Sequence, residues 1–193
     1  MQRFAFGLAR FMAVLGGIVL TALILLTCVS VLGRSINTIL HFDWLTAASA
    51  GATKLLLDTG VGPVPGDFEL VEAGVAFAIA AFLPLCQITG GHATVDIFTA
   101  YLPERANRFL VALWEVVFAL VLILLTWRIY EGMVSKLRYG ETTMLLQFPI
   151  WWAYAGCFLG TAAAALVSVY VACVRVAELL TGRVILRAEG AGH

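Results

Sequence analysis

Charge is scarce in this chain. Only 12% of its 193 residues are Asp, Glu, Lys or Arg, against about 25% in an ordinary soluble domain, whereas 62% are hydrophobic. That balance excludes a typical cytosolic enzyme and places the chain in the membrane class. The twelve basic residues are matched by twelve acidic ones, so no net field draws the chain to nucleic acid. Histidine is rarer still: His41, His92 and His193 all fall outside the apolar runs, which leaves no axial haem ligand within a spanning helix. The four cysteines, Cys28, Cys86, Cys157 and Cys173, form no CxxC pair and have no histidine nearby. They read as buried, inert thiols, and neither a disulfide framework, a zinc site nor a paired-thiol oxidase is expected. Glycine-rich phosphate loops of the GxGxxG or GxxxxGK[ST] type are missing as well. No catalytic, cofactor-binding or metal-ligating residue is therefore expected.

What the chain has is length of apolar sequence. A hydrocarbon core roughly 30 Å thick needs about 20 apolar residues at 1.5 Å each, and four stretches supply them, approximately 11–32, 70–88, 109–130 and 148–174. The expected fold is an all-α integral membrane protein with four transmembrane helices, forming a single membrane domain over 1–193. The first stretch follows Arg3 and Arg10 but exceeds the apolar region of a signal peptide, so it reads as a retained anchor. Residues 34–69 make the longest connection, with the breaker-rich Gly60–Gly66 near its end. Within it, His41–Leu57 reads as a short interfacial helix, with Asp43 as its cap and a disordered loop as the alternative. Gly132–Gln147 fits a surface or re-entrant hairpin, and Pro149 suits the first turn of a helix. Pro84, inside the second stretch, is expected to kink or end that helix. No internal repeat is evident, which gives an inverted-repeat transporter no support.

Four spans put both termini on one side. Arg3, Arg10, Arg105, Arg108, Arg175, Arg183 and Arg187 flank the spans on the terminal side, and Arg34, Lys54, Arg128, Lys136 and Arg138 on the other. Most acidic residues lie opposite the arginine-rich side. The bias predicts cytoplasmic N- and C-termini. Trp127 and Tyr130 close the third span while Trp151, Trp152 and Tyr154 open the fourth, gathering amphipathic rings at one interface.

Glu115, after Trp114, is the one ionisable residue well inside a span. A carboxylate there is costly and faces protein or water. One reading is a coupling-ion or substrate ligand. The other, preferred because no companion Asn, Ser or broken helix accompanies it, is a structural carboxyl that pairs with a Lys, Arg or backbone group of a neighbouring helix or of a partner subunit, or snorkels to the interface. Gly156, Gly160 and Ala164 recur every four residues on one face of the fourth span, a pattern that permits close helix packing either within the chain or against a partner. Arg105 is a candidate for contact with a partner or with lipid headgroups.

Several phrases then add up. Gly91-His92-Ala93-Thr94-Val95-Asp96-Ile97-Phe98, Leu102-Pro103-Glu104-Arg105, Gly140-Glu141-Thr142-Thr143-Met144-Leu145 and Phe148-Pro149-Ile150-Trp151, in that order between four spans, resemble the small permease subunit (DctQ-like) of tripartite ATP-independent periplasmic (TRAP) transporters. Arg34 and Asp67-Phe68-Glu69-Leu70 fit the same pattern, and the resemblance covers about residues 11–180. It implies a bacterial or archaeal inner-membrane location and two partners: a large permease subunit that holds the substrate and sodium sites, and a soluble periplasmic solute-binding protein. It also implies a scaffold for the sodium-coupled import of an organic anion such as a carboxylate. On this reading Trp114, Glu115, Gly156, Gly160, Ala164 and Arg105 are candidate partner-interface residues, and Arg128, Lys136, Arg138 and Glu141 candidate periplasmic contacts. Membrane lipid is the remaining partner and nucleic acid is not one. The alternatives are a self-contained four-helix transporter and a small membrane redox carrier.

Overall fold

In a computed structural model the chain is described over residues 2–40, 64–89 and 104–181. These residues form four long helices: α1 (Gln2–Leu40), α2 (Asp67–Thr89), α3 (Glu104–Tyr139) and α4 (Ile150–Thr181). All four are long and apolar enough to cross a membrane. The interfacial helix expected over His41–Leu57 lies outside the described residues, as do Asp96 and the arginines at 183 and 187.

Each helix outruns its apolar stretch because backbone hydrogen bonding continues after the side chains turn polar. α3, for instance, passes Arg128 and persists through Lys136 and Arg138 to Tyr139, absorbing half of the segment expected to form a hairpin. Gly140 follows with φ 63° and stops it. α2 likewise continues five residues past Pro84, which is buried, so the proline does not end the helix. Neighbouring helices supply the packing that tolerates a proline inside a span. Pro149 stands just ahead of α4, and its carbonyl accepts the Trp152 N–H at 3.1 Å.

The helices stand in the spatial order α1, α2, α4, α3. α1 packs mainly along α2, α2 along α4, and α3 along α4, with a smaller contact between α1 and α4. The middle pair is the most enclosed: half of the most apolar stretch of α4 and a third of that of α2 are buried, and much less of α1 and α3. Such exposure of Phe, Leu and Ile costs nothing in lipid, whose tails are as apolar as the side chains.

Small residues bring α2 and α4 together. A Cβ placed on Gly160 would lie 2.8 Å from the Cβ and carbonyl carbon of Ala80, so only glycine lets these backbones approach so closely. Ala78, Ala80 and Ala81 on α2 and Ala163, Ala164 and Ala165 on α4 are all buried. At the terminal end, Ala5 and Ala9 of α1, Ile88 of α2 and Val167 and Val171 of α4 join in one apolar cluster that holds three helices together.

The thiols divide. Cys86 and Cys157 are half-buried, while Cys28 and Cys173 are exposed on the outer faces of α1 and α4. Burial inside the protein therefore fails as a reading for those two. An apolar surrounding in sequence means lipid as readily as protein core in a chain of this class.

Candidate functional site

Polar contacts concentrate at two levels of the helix row. Toward the terminal end, Gln87 of α2 is only 2% exposed, and its Nε2 donates to Glu115 Oε2 of α3 at 2.6 Å. The carboxylate thus meets a neighbouring helix through an amide. Gln87 escaped sequence reading because it is uncharged and follows the proline; an amide inside an apolar run was the available signal. Trp114, beside Glu115, turns outward and is 61% exposed. Arg105 lies in the first turn of α3, and its side chain is outside the described residues. On α4, Arg175 and the buried Glu178 pair at 2.9 Å.

The small-residue face of α4 is turned toward α2. Gly156 meets Phe77, Gly160 meets Ala80, and Ala164 is fully buried. Gly156 and Gly160 thus lie in the α2–α4 seam, while Ala164 clusters with Leu122 of α3 and Leu83 of α2.

At the opposite end, α2 begins with a polar anchor. Ser30 of α1 donates to Asp67 Oδ2, and Arg34 approaches the same oxygen at 3.6 Å. Asp67 Oδ1 also accepts the Phe68 N–H at 2.8 Å at the helix start. Two residues on, Glu69 reaches across to the connection between α3 and α4: its two oxygens accept the N–H groups of Leu145 at 2.8 Å and Leu146 at 3.0 Å. Gly66, at φ 78°, makes room for Leu146, whose side chain fills the space a Cβ would need.

That connection is a tight, hydrogen-bonded turn. Thr142 and Pro149 form an antiparallel bridge, the Thr143 N–H donates to Phe148 O at 2.9 Å and the Ile150 N–H to Glu141 O at 3.1 Å. The Phe148 N–H donates to Thr143 Oγ1 at 3.1 Å. Gln147 takes the left-handed conformation, φ 51°, that closes the reversal. Of the expected external contacts, Lys136 and Glu141 pair with each other at 2.5 Å, Arg128 pairs with Glu131 at 3.1 Å, and Arg138 is exposed. The latch by Glu69 was missed in sequence because an acid at a span edge reads as a topology signal, and its partners are backbone groups that no side-chain pattern announces.

Two shallow apolar grooves flank the seam. One, of about 370 Å3, lies between α2 and α3 with Glu69 and Glu72 at its rim and Tyr154 and Cys157 on its floor. The other, of about 490 Å3, lies between α1 and α4 along Gly74 and Phe77 of α2. No group of three or more His, Cys, Asp or Glu residues that could hold a metal ion occurs among the described residues.

Four apolar helices joined at their ends by polar latches define a multi-pass membrane subunit. The family model of the DctQ component of tripartite ATP-independent periplasmic transporters matches residues 59–179, well over half of the chain, and the chain belongs to that family. It is thus a small, non-catalytic membrane component of a TRAP transporter. No curated protein and no solved structure matches it.

Proposed function

We propose that the chain is a scaffold. It steadies a large permease subunit, which imports an organic anion, a carboxylate, together with sodium after a soluble receptor outside the membrane delivers it. The observation that carries this reading is the unequal burial of the row. α2 and α4 bury their faces in each other, while α1 and α3 keep long apolar flanks available to a second membrane protein. Trp114 stands on one of those flanks, and Glu115 is held beside it by Gln87. Between the helices, the polar side chains of Ser30, Asp67, Gln87 and Glu115 are engaged with one another, which suits a rigid support better than a path for a hydrated anion.

In this reading the terminal end faces the cytoplasm and the α3–α4 turn faces outward, in keeping with the arginine bias. Trp114, Glu115 and Arg105 lie at or near the contact with the large subunit. Gly156, Gly160 and Ala164 support that contact from within, by fixing the α2–α4 seam. Arg128, Lys136, Arg138 and Glu141 belong to the external rim.

Co-expression of the tagged chain with the large permease subunit of its transporter is the direct test. We expect the two to purify together in mild detergent at a fixed ratio and the small chain to be less stable alone. A chain that is equally stable alone and captures no large subunit contradicts the scaffold.

A further inference from the structure

Glu72 is an acid without a partner. Among the described residues, Asp67, Glu69, Glu115, Glu131, Glu141 and Glu178 each meet a hydrogen-bond donor or a cation, whereas Glu72, exposed on α2, meets neither. It stands at the rim of the groove of about 370 Å3 between α2 and α3. The walls of that groove are mainly apolar, with Leu70, Ala73 and Ala76 from α2, Ile129 from α3, and Ala153 and Cys157 from α4. A carboxylate at the mouth of an apolar slot in a membrane is complementary to a ligand with a cationic head and a hydrocarbon tail.

The shape of the groove separates the possible occupants. Toward the terminal end, α2 and α3 are drawn together over α4, where Gln87 donates to Glu115 at 2.6 Å and Leu83 packs against the cluster of Leu122, Ala164 and Ala165. The groove is therefore blind at that end. Its α2 wall runs from Glu69 to Ala76, about 10 Å at 1.5 Å per residue, which stays within one leaflet of a hydrocarbon core about 30 Å thick. A spanning helix of a partner crosses both leaflets and is about 10–12 Å across, so it would lie over such a wedge without entering it. An acyl chain enters from its own leaflet. Ile129 follows Arg128, the residue that ends the apolar run of α3, so the open end of the groove lies at headgroup level, below the reach of a soluble protein. We propose that the groove holds one acyl chain of a phospholipid with a primary ammonium headgroup, phosphatidylethanolamine, and that Glu72 selects the ammonium. A headgroup that carries only the phosphate charge, as in phosphatidylglycerol, brings a like charge to the carboxylate. The site needs this chain alone and stands apart from the scaffold role.

The test is native mass spectrometry of the full chain, and of its complex with the large subunit, in mild detergent with equal amounts of phosphatidylethanolamine and phosphatidylglycerol of identical acyl chains. Wild type should retain one lipid per chain in both preparations, with phosphatidylethanolamine favoured about threefold, the scale of an exposed ion pair. Glu72→Gln, which keeps the shape of the side chain, should hold the two lipids equally. Glu131→Gln, at an acid already paired with Arg128, should keep the preference. Ala76→Phe, which fills the groove, should lose the retained lipid of either kind; if that variant does not fold, the glutamine variant decides alone. A preference that survives Glu72→Gln overturns the proposal, and so does a lipid that survives Ala76→Phe in a folded chain. Equal retention of the two lipids by wild type also overturns it. A lipid held by the isolated chain but missing from the complex would give the groove to the large subunit, with the same consequence.

Discussion

The amide of Gln87 and the carboxylate of Glu115 meet at 2.6 Å, joining α2 to α3, two helices that otherwise share α4 as their common neighbour. Interhelical hydrogen bonds in lipid contribute about 0.6 kcal/mol on average and up to about 1.7 kcal/mol. A double-mutant cycle over Gln87→Leu and Glu115→Leu, read by unfolding in detergent, should return a coupling in that range. Glu115→Gln should lower the yield of assembled complex and leave the sodium dependence of uptake unchanged. Full assembly with altered sodium dependence would assign the carboxylate to transport instead.

The seam makes a sharper demand on Gly160. A Cβ there meets the backbone of Ala80, which cannot move aside without shifting α2. Gly160→Val should cost about 1–3 kcal/mol, the usual range for overpacking, seen as a lower melting temperature in detergent. Gly17, which has no atom within 4 Å of its Cβ direction, provides the control: Gly17→Ala should stay within about 0.5 kcal/mol of wild type.

Glu69 holds the turn by two charge-assisted hydrogen bonds. In Glu69→Ala the amides of Leu145 and Leu146 lose these acceptors and should exchange with deuterium faster. The centre of α4 should be unaffected. Unchanged exchange at the turn would mean that the Thr142–Pro149 bridge suffices without the latch.

Orientation is open to direct labelling. In a background lacking the four native cysteines, Met144→Cys should react with a membrane-impermeant maleimide added outside cells. A green fluorescent protein joined after residue 193 should fluoresce inside them. The reverse pattern in both would invert the topology argued from the arginines.

The four apolar runs were legible because the bilayer imposes a length, and length can be counted in a sequence. The order α1, α2, α4, α3 was not, since a helix in lipid is apolar on the faces that meet lipid and on those that meet protein alike. Gly156, Gly160 and Ala164 announced a close contact by their spacing, but not that Phe77 and Ala80 of the same chain would occupy it. Glu115 was conspicuous as an intramembrane acid, while its partner Gln87 carried no charge to betray it. The turn at 140–149 shows a third limit. Its sequence was recognisable as a motif, yet its rigidity depends on Glu69, more than seventy residues earlier, reaching backbone groups.

The central claim is that the passenger crosses through another polypeptide that this one supports. Purified chain should be placed alone in vesicles, with a sodium gradient directed inward and an organic acid outside, beside matched vesicles that also hold the large permease and receive the soluble receptor. The account predicts accumulation only in the second set. Sodium-driven accumulation in vesicles containing this chain alone would contradict it.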